Sequence, residues 1–294
     1  MTGAASEPCK MSGDTYLPEH RKITLEQIFM VTLFAIYLAV GAITGILAGL
    51  LGIGGGLVVV PMLLFCFSLL NIPQAHTMHI ALGTSMAIII FTSVSSFMAH
   101  HRRGAVHWHV VVRITPGILV GTLLGAYIAS LMSTDILKGF FGLFLYYVAS
   151  QFILDKKPRP GRELPRPAGM FAVGGVIGIV SSLMGIGGGT LSVPFMTWCN
   201  IAVRNAIGTS AAIGFPIAIA GTFGYVITGY SVDGLPAYSL GYVYLPALFG
   251  IVGASMLTAP AGVWLAHRLP VQKLKRVFAF LLLVVGTKML AGLF

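Results

Sequence analysis

The sequence predicts an all-α polytopic membrane protein built from two inverted-topology repeats, each a glycine-broken helical hairpin followed by three transmembrane helices. Three observations predict it. Of 294 residues, 56% are hydrophobic and only 9% charged, with a mean hydropathy of +0.91, whereas a soluble domain carries roughly 25% charged residues. Apolar runs of about 18 residues or more recur along the chain, each long enough to cross a hydrocarbon core of roughly 30 Å at 1.5 Å per residue. Finally, GILAGLLGIGGGLVVVPML at Gly45–Leu63 returns as GIVSSLMGIGGGTLSVPFM at Gly178–Met196, the internal repeat of a duplicated architecture.

The elements follow in chain order. Residues 1–28 are polar and of mixed charge and read as a loose tail rather than a signal peptide. The first repeat, 29–153, offers an apolar hairpin over about 29–71 and spans near 79–99, 110–132 and 137–153. A basic, proline-rich linker, DKKPRPGRELPRP, fills the junction at 154–167 and cannot be embedded in lipid. The second repeat, 168–294, offers a hairpin over about 168–203 and spans near 206–229, 242–265 and 274–294. Register is fixed further on by Gly83-Thr84-Ser85 matching Gly208-Thr209-Ser210, and by Leu137-Lys138 with Phe141 matching Leu274-Lys275 with Phe278. A hairpin, fully crossing or re-entrant, starts and ends on one side, so each half makes an odd number of net crossings.

Placing the linker in the cytoplasm puts thirteen Lys and Arg residues on the inner side and five on the outer, the bias that orients inner-membrane proteins. Both termini then lie outside and the second half is upside down relative to the first. Inverted repeats of this kind are typical of secondary transporters, with the substrate site near the midplane where the halves meet.

The residues expected to carry chemistry lie at the two breaks. Gly54, Gly55 and Gly56, and their partners Gly187, Gly188 and Gly189, interrupt apolar segments in which each glycine costs about 1 kcal/mol relative to alanine. Pro61 and Pro194 follow at equal spacing and are expected as further helix breaks, each removing a backbone donor. Irregular backbone at membrane depth is tolerated where it is buried or lines a wet cavity. Arms that restart after each break would aim two positive helix ends, with free N–H groups, at one interior point, which is chemistry for an oxyanion. Close helix packing is the plain structural alternative for the glycines. Thr84, Ser85, Thr209 and Ser210 are candidate hydroxyl donors, with bonding to their own helix as the alternative. His79 and Arg204 share a repeat position near the outer and inner mouths and suit gating, steering or interfacial anchoring.

All eight acidic residues map to tails, loops or span ends. A cation carrier or a carboxylate proton relay would ordinarily place one inside the membrane, so the expected partner is a small anion within a lipid bilayer, and any proton coupling falls to a histidine or to the substrate. The net charge of +10 sits in short loops and implies no nucleic acid. His100, His101, His107 and His109 lack a neighbouring carboxylate or thiol, so no metal is expected, nor any cofactor. Cys66 and Cys199 coincide in the repeat and read as small buried filler. Gly117, Gly121 and Gly125 form a close-packing face. An intramembrane enzyme is disfavoured, since no span joins a nucleophile to a base and an orienting carboxylate; an anion channel, or a permease for a non-sulfur organic anion, remains the alternative. Oligomeric state is not legible.

LGIGGGLVVVP with ALGTS and HHRRGAVHW, then LMGIGGGTLSVP with AIGTS, resembles the sulfite exporter TauE/SafE family of membrane permeases, over nearly all the chain after residue 29. The resemblance implies a sulfur-containing anion such as sulfite, thiosulfate or an organosulfonate such as sulfoacetate, often moved outward. The polar tail has no part in it.

Overall fold

The computed structural model describes residues 31–32, 34–46, 56–69, 74–154, 161, 163–268 and 271–292. The N-terminal tail, most of the first break including Gly54 and Gly55, and much of the linker lie outside the described residues. The helices are α1 (Phe34–Ile46), α2 (Gly56–Leu69), α3 (Thr77–Arg102, preceded by a 3-10 turn, Gln74–His76), α4 (Trp108–Leu131), α5 (Thr134–Leu154), α6 (Pro167–Met184), α7 (Gly189–Trp198), α8 (Val203–Gly229), α9 (Leu245–Arg268) and α10 (Val271–Ala291). Among the described residues, five helical segments are long and apolar enough to cross a membrane, as expected of a multi-pass membrane protein. The exception to an all-α reading is a two-stranded antiparallel hairpin, β1 (Ser239–Leu240) with β2 (Val243–Tyr244). It forms because Tyr238 and Gly241 take positive φ and reverse the chain just before α9, where apolar composition alone reads as helix.

Neither prolyl residue breaks its helix. Pro61 lies inside α2 and Pro194 inside α7, each at the sixth position. At that depth the missing N–H removes one intrahelical bond and the helix runs on, so the described rupture, between α6 and α7, belongs to Gly185 and Gly188.

The halves interlock through reciprocal pairs. α4 packs along α6, with Gly117, Gly121 and Gly125 against the backbone of Phe171, Gly175 and Ile179. In the corresponding place α1 meets α9, where side chains at Gly41 and Gly45 would strike Ile251 and Ser255. α3 packs on α8, and α5 on α10, the latter fastened by a 2.6 Å hydrogen bond between the Tyr146 and Thr287 hydroxyls. Large side chains such as Leu143, Val176, Phe249 and Leu257 face outward, the surface expected where lipid is the solvent.

Candidate functional site

The second break is fully described. α6 ends in a Schellman motif: Gly185 takes the left-handed conformation at φ 61°, its N–H bonds the Ser182 carbonyl at 3.2 Å, and the Ile186 N–H bonds that of Ser181 at 3.1 Å. Gly188, at φ 75°, then caps α7. Two left-handed residues three apart turn the chain back, and α7, ten residues long, extends about 15 Å, half a membrane. The Gly161 N–H donates to the Trp198 carbonyl at 3.4 Å. The far end of α7 is thereby tied to the linker that leads into α6, so this hairpin returns to the side from which it came.

The start of α2 meets the second break. A side chain at Gly56, the first residue of α2, would lie 2.7 Å from the Gly185 carbonyl oxygen and 2.9 Å from the Ile186 Cα. Glycine here lets one backbone rest directly on the other. Around this point Ser181 to Gly188 are all buried. The Ser181 and Ser182 side chains have no solvent exposure, and the hydroxyls of Ser181, Ser182 and Thr190 have no hydrogen-bond partner among the described residues. A side chain at Gly188 would meet the Ser181 hydroxyl at 3.3 Å, so that hydroxyl flanks the α7 N-terminus. The Ser182 side chain faces Gly125 of α4, whereas Ser181 and Thr190 put two orphan hydroxyls beside the helix start, which in protein shielded from water is rare unless something completes them.

The Gly-Thr-Ser segments serve in part as fasteners between the halves. A side chain at Gly83 would lie 2.6 Å from the Tyr242 carbonyl oxygen, and one at Gly208 2.7 Å from that of Ala105. Thr84 accepts the Tyr244 N–H at 3.0 Å; Thr209 accepts the His107 N–H at 2.9 Å. Each threonine keeps its own proton free to donate. Ser85 donates its proton to the Gly185 carbonyl at 2.7 Å, which anchors α3 to the second break. Ser210 shares a 2.6 Å hydrogen bond with Ser192, leaving that pair one proton in hand.

The remaining candidates lie apart. His79 is buried at the start of α3, its Nε2 2.9 Å from the Ala129 carbonyl oxygen. Arg204 lies at the start of α8, beside Asn205, whose amide meets His107 Nε2 at 2.8 Å. His101 accepts from the Trp108 indole at 3.1 Å. Cys66 and Cys199 are both buried. Among the described residues no group of three or more metal-binding side chains gathers.

The model of the sulfite exporter TauE/SafE family matches residues 37–289. The chain belongs to that family. It is 38% identical over 261 residues to a "Probable membrane transporter protein" of Haemophilus influenzae, covering 88% of this chain and 99% of that protein. A "Probable membrane transporter protein YunE" of Bacillus subtilis is 30% identical over 67% of this chain and 80% of its own length, and a relative in Methanocaldococcus jannaschii 29% over 91% and 99%. No solved structure gives a significant match. The protein is a membrane transporter, and these names point to transport rather than to enzymatic chemistry.

Repeat identity passes over the hydroxyls near the second break, three of them orphans and the fourth, Ser192, bonded to Ser210. Ser181, Ser182, Thr190 and Ser192 stand where the first half has Ala48, Gly49, Leu57 and Val59, so the signal that could have found them is difference between the halves.

Proposed function

We propose that this chain is a secondary transporter that exports a small sulfur-containing oxyanion, of the sulfite, thiosulfate or sulfonate kind, across the cell inner membrane by alternating access. Residues 29–153 and 168–294 are its two inverted halves. Support for the inversion comes from α4, which runs the length of the bundle. The start of α3 is bonded to the end of α4 through His79 and Ala129, while the start of α8 is bonded to the beginning of α4 through Thr209 and His107. α3 and α8, matching helices of the two halves, thus begin at opposite ends. The positive charge of the linker and of the 102–113 loop supports a cytoplasmic side for those segments and an outer side for the termini.

One observation carries the anion site: the α7 N-terminus, left open by Gly188, is flanked by the Ser181 and Thr190 hydroxyls, unpartnered among the described residues, close to where the start of α2 touches the second break. Backbone N–H groups at a helix start carry about half a positive charge and favour an oxyanion, and hydroxyls without protein partners complete its shell. In this reading Gly56, Gly187, Gly188 and Gly189 admit the anion close to the backbone, and Thr84, Thr209 and the Ser192–Ser210 pair supply the remaining protons. Sulfur specificity rests on family membership.

Counterflow into proteoliposomes tests the reading. Labelled sulfite, thiosulfate, an alkanesulfonate and non-sulfur carboxylates are each offered against unlabelled anion inside. Saturable, trans-stimulated uptake confined to the sulfur oxyanions is expected. Conductance without saturation would make the protein a channel, and carboxylate counterflow alone would overturn the substrate class.

A further inference from the structure

A polar chamber lies at the end of the bundle where α3 begins and α4 ends. Its volume is about 320 Å³, and its wall includes His76, His79, Ser130, Ser133, Thr134 and Tyr242. The His79 imidazole stacks on the Tyr242 ring, with centroids 5.0 Å apart and planes at 27°, and His76 stands 6.0 Å from both rings. The chamber is fixed to the transport path through one helix. From His79, six residues of α3 lead to Ser85, whose hydroxyl holds the Gly185 carbonyl of the second break, about 9 Å along the axis.

The protonation state of His79 follows from its partner. A carbonyl oxygen only accepts, so Nε2, 2.9 Å from the Ala129 oxygen, carries a proton, and in the neutral ring Nδ1 is a lone pair. That Nδ1 is buried with no hydrogen-bond partner among the described residues, as is Nδ1 of His76. The other titratable groups at the wall are Asp135 and Tyr242; the Asp135 carboxylate is exposed and neutralised by Lys138 at 3.6 Å. A neutral His79 thus offers an anion nothing at Nδ1. Once protonated there, the same atom becomes a cationic donor beside a cavity large enough for a tetrahedral or pyramidal oxyanion.

We propose that this chamber is a second, outer oxyanion site, and that it fills only when His79 takes a proton from the outer water onto Nδ1, with His76 as second donor. The proposal rests on the reading of the protein as an anion transporter and adds a station and a proton requirement to it. Anion and proton occupy the outer mouth together, so the protein releases or captures its cargo there as a pair.

The test uses the full chain in proteoliposomes with thiosulfate and methanesulfonate, which hold their charge between pH 6 and pH 8, so that any pH effect belongs to the protein. Apparent affinity from the outer face should tighten about tenfold or more from pH 8 to pH 6, because binding that requires one added proton follows the proton concentration. His79→Gln keeps an N–H for the Ala129 carbonyl but has no titrating atom, and should flatten that profile. A second measurement leaves the histidines intact: in a Cys9→Ser background, Ser133→Cys at the chamber wall should be protected from a thiol reagent by methanesulfonate at pH 6 and not at pH 8. A pH-independent affinity in the parent protein, a pH gain retained by His79→Gln, or equal protection at both pH values would overturn the proposal while transport itself stands. Failure of the parent protein to move either anion at any pH would overturn the transporter reading beneath it.

Discussion

The two glycine breaks are alike in backbone sequence and unlike in what surrounds them. The second is bordered by Ser181, Ser182, Thr190 and Ser192, the first by Ala48, Gly49, Leu57 and Val59. Leu57 and Val59 are packed into the hydrophobic core, while three of the four hydroxyls in the second half stand buried without a partner. The glycine motif thus recurs in both halves, and the hydroxyl side chains beside it are concentrated in one. A buried hydroxyl with no hydrogen bond costs about 1–3 kcal/mol, which stability alone gives no reason to retain. A ligand that completes those bonds would, and on the proposed reading the anion is held mainly by the second half, with Gly56 of the first beside it.

Substitutions at the two breaks sharpen or dissolve that contrast. The largest effect is expected from Gly188→Val. A β-branched residue at φ 75° is strained and its Cβ would lie 2.5 Å from the Ile217 methyl, at the N–H groups offered to the anion. Counterflow should fall by about a hundredfold or more while membrane insertion, measured by yield in the membrane fraction, persists.

Next come the fasteners. Thr84→Val and Thr209→Val each orphan a backbone N–H, of Tyr244 and of His107. Each should lower stability in detergent by about 1–3 kcal/mol, read as a reduced midpoint of thermal unfolding, and the two losses should be similar because the contacts are reciprocal. Ser181→Ala separates binding from stability. Removing an unsatisfied hydroxyl should leave the unfolding midpoint unchanged or raise it, yet raise KM for the anion about tenfold, the worth of one hydrogen bond to a charged group. The smallest pair of effects compares a single repeat position. Thr190→Val should raise KM about threefold, and the volume-conserving Leu57→Met should leave it within about twofold; equal effects would mean that the lining is shared after all.

Much of this was legible from periodicity and repetition. The spans near 79–99 and 206–229 lie within α3 and α8, and the glycine ladder at 117, 121 and 125 does pack closely, because length and small-residue spacing are local properties. The glycines of the second break proved to be the rupture, since Gly185 and Gly188 need positive φ. Proline misled: at the sixth position of α2 and α7 it is absorbed by a helix already started. The Thr84 and Thr209 bonds join residues 160 and 102 apart, and the chamber gathers residues from 74 to 242; such contacts depend on tertiary placement and leave no local pattern. Ser181 and Thr190 were passed over because repeat comparison rewards sameness, and here the chemistry lies in the mismatch.

The central claim is most directly tested by locating an anion. Crystals or grids of the protein with selenate or selenite, heavier analogues of sulfur oxyanions, would show the anion by its scattering. The account predicts a peak within hydrogen-bonding distance of the Ser181 hydroxyl and the α7 N-terminus at Gly189, facing Gly56. Strong density elsewhere in the membrane interior, with this junction closed and unoccupied at saturating anion, would contradict it.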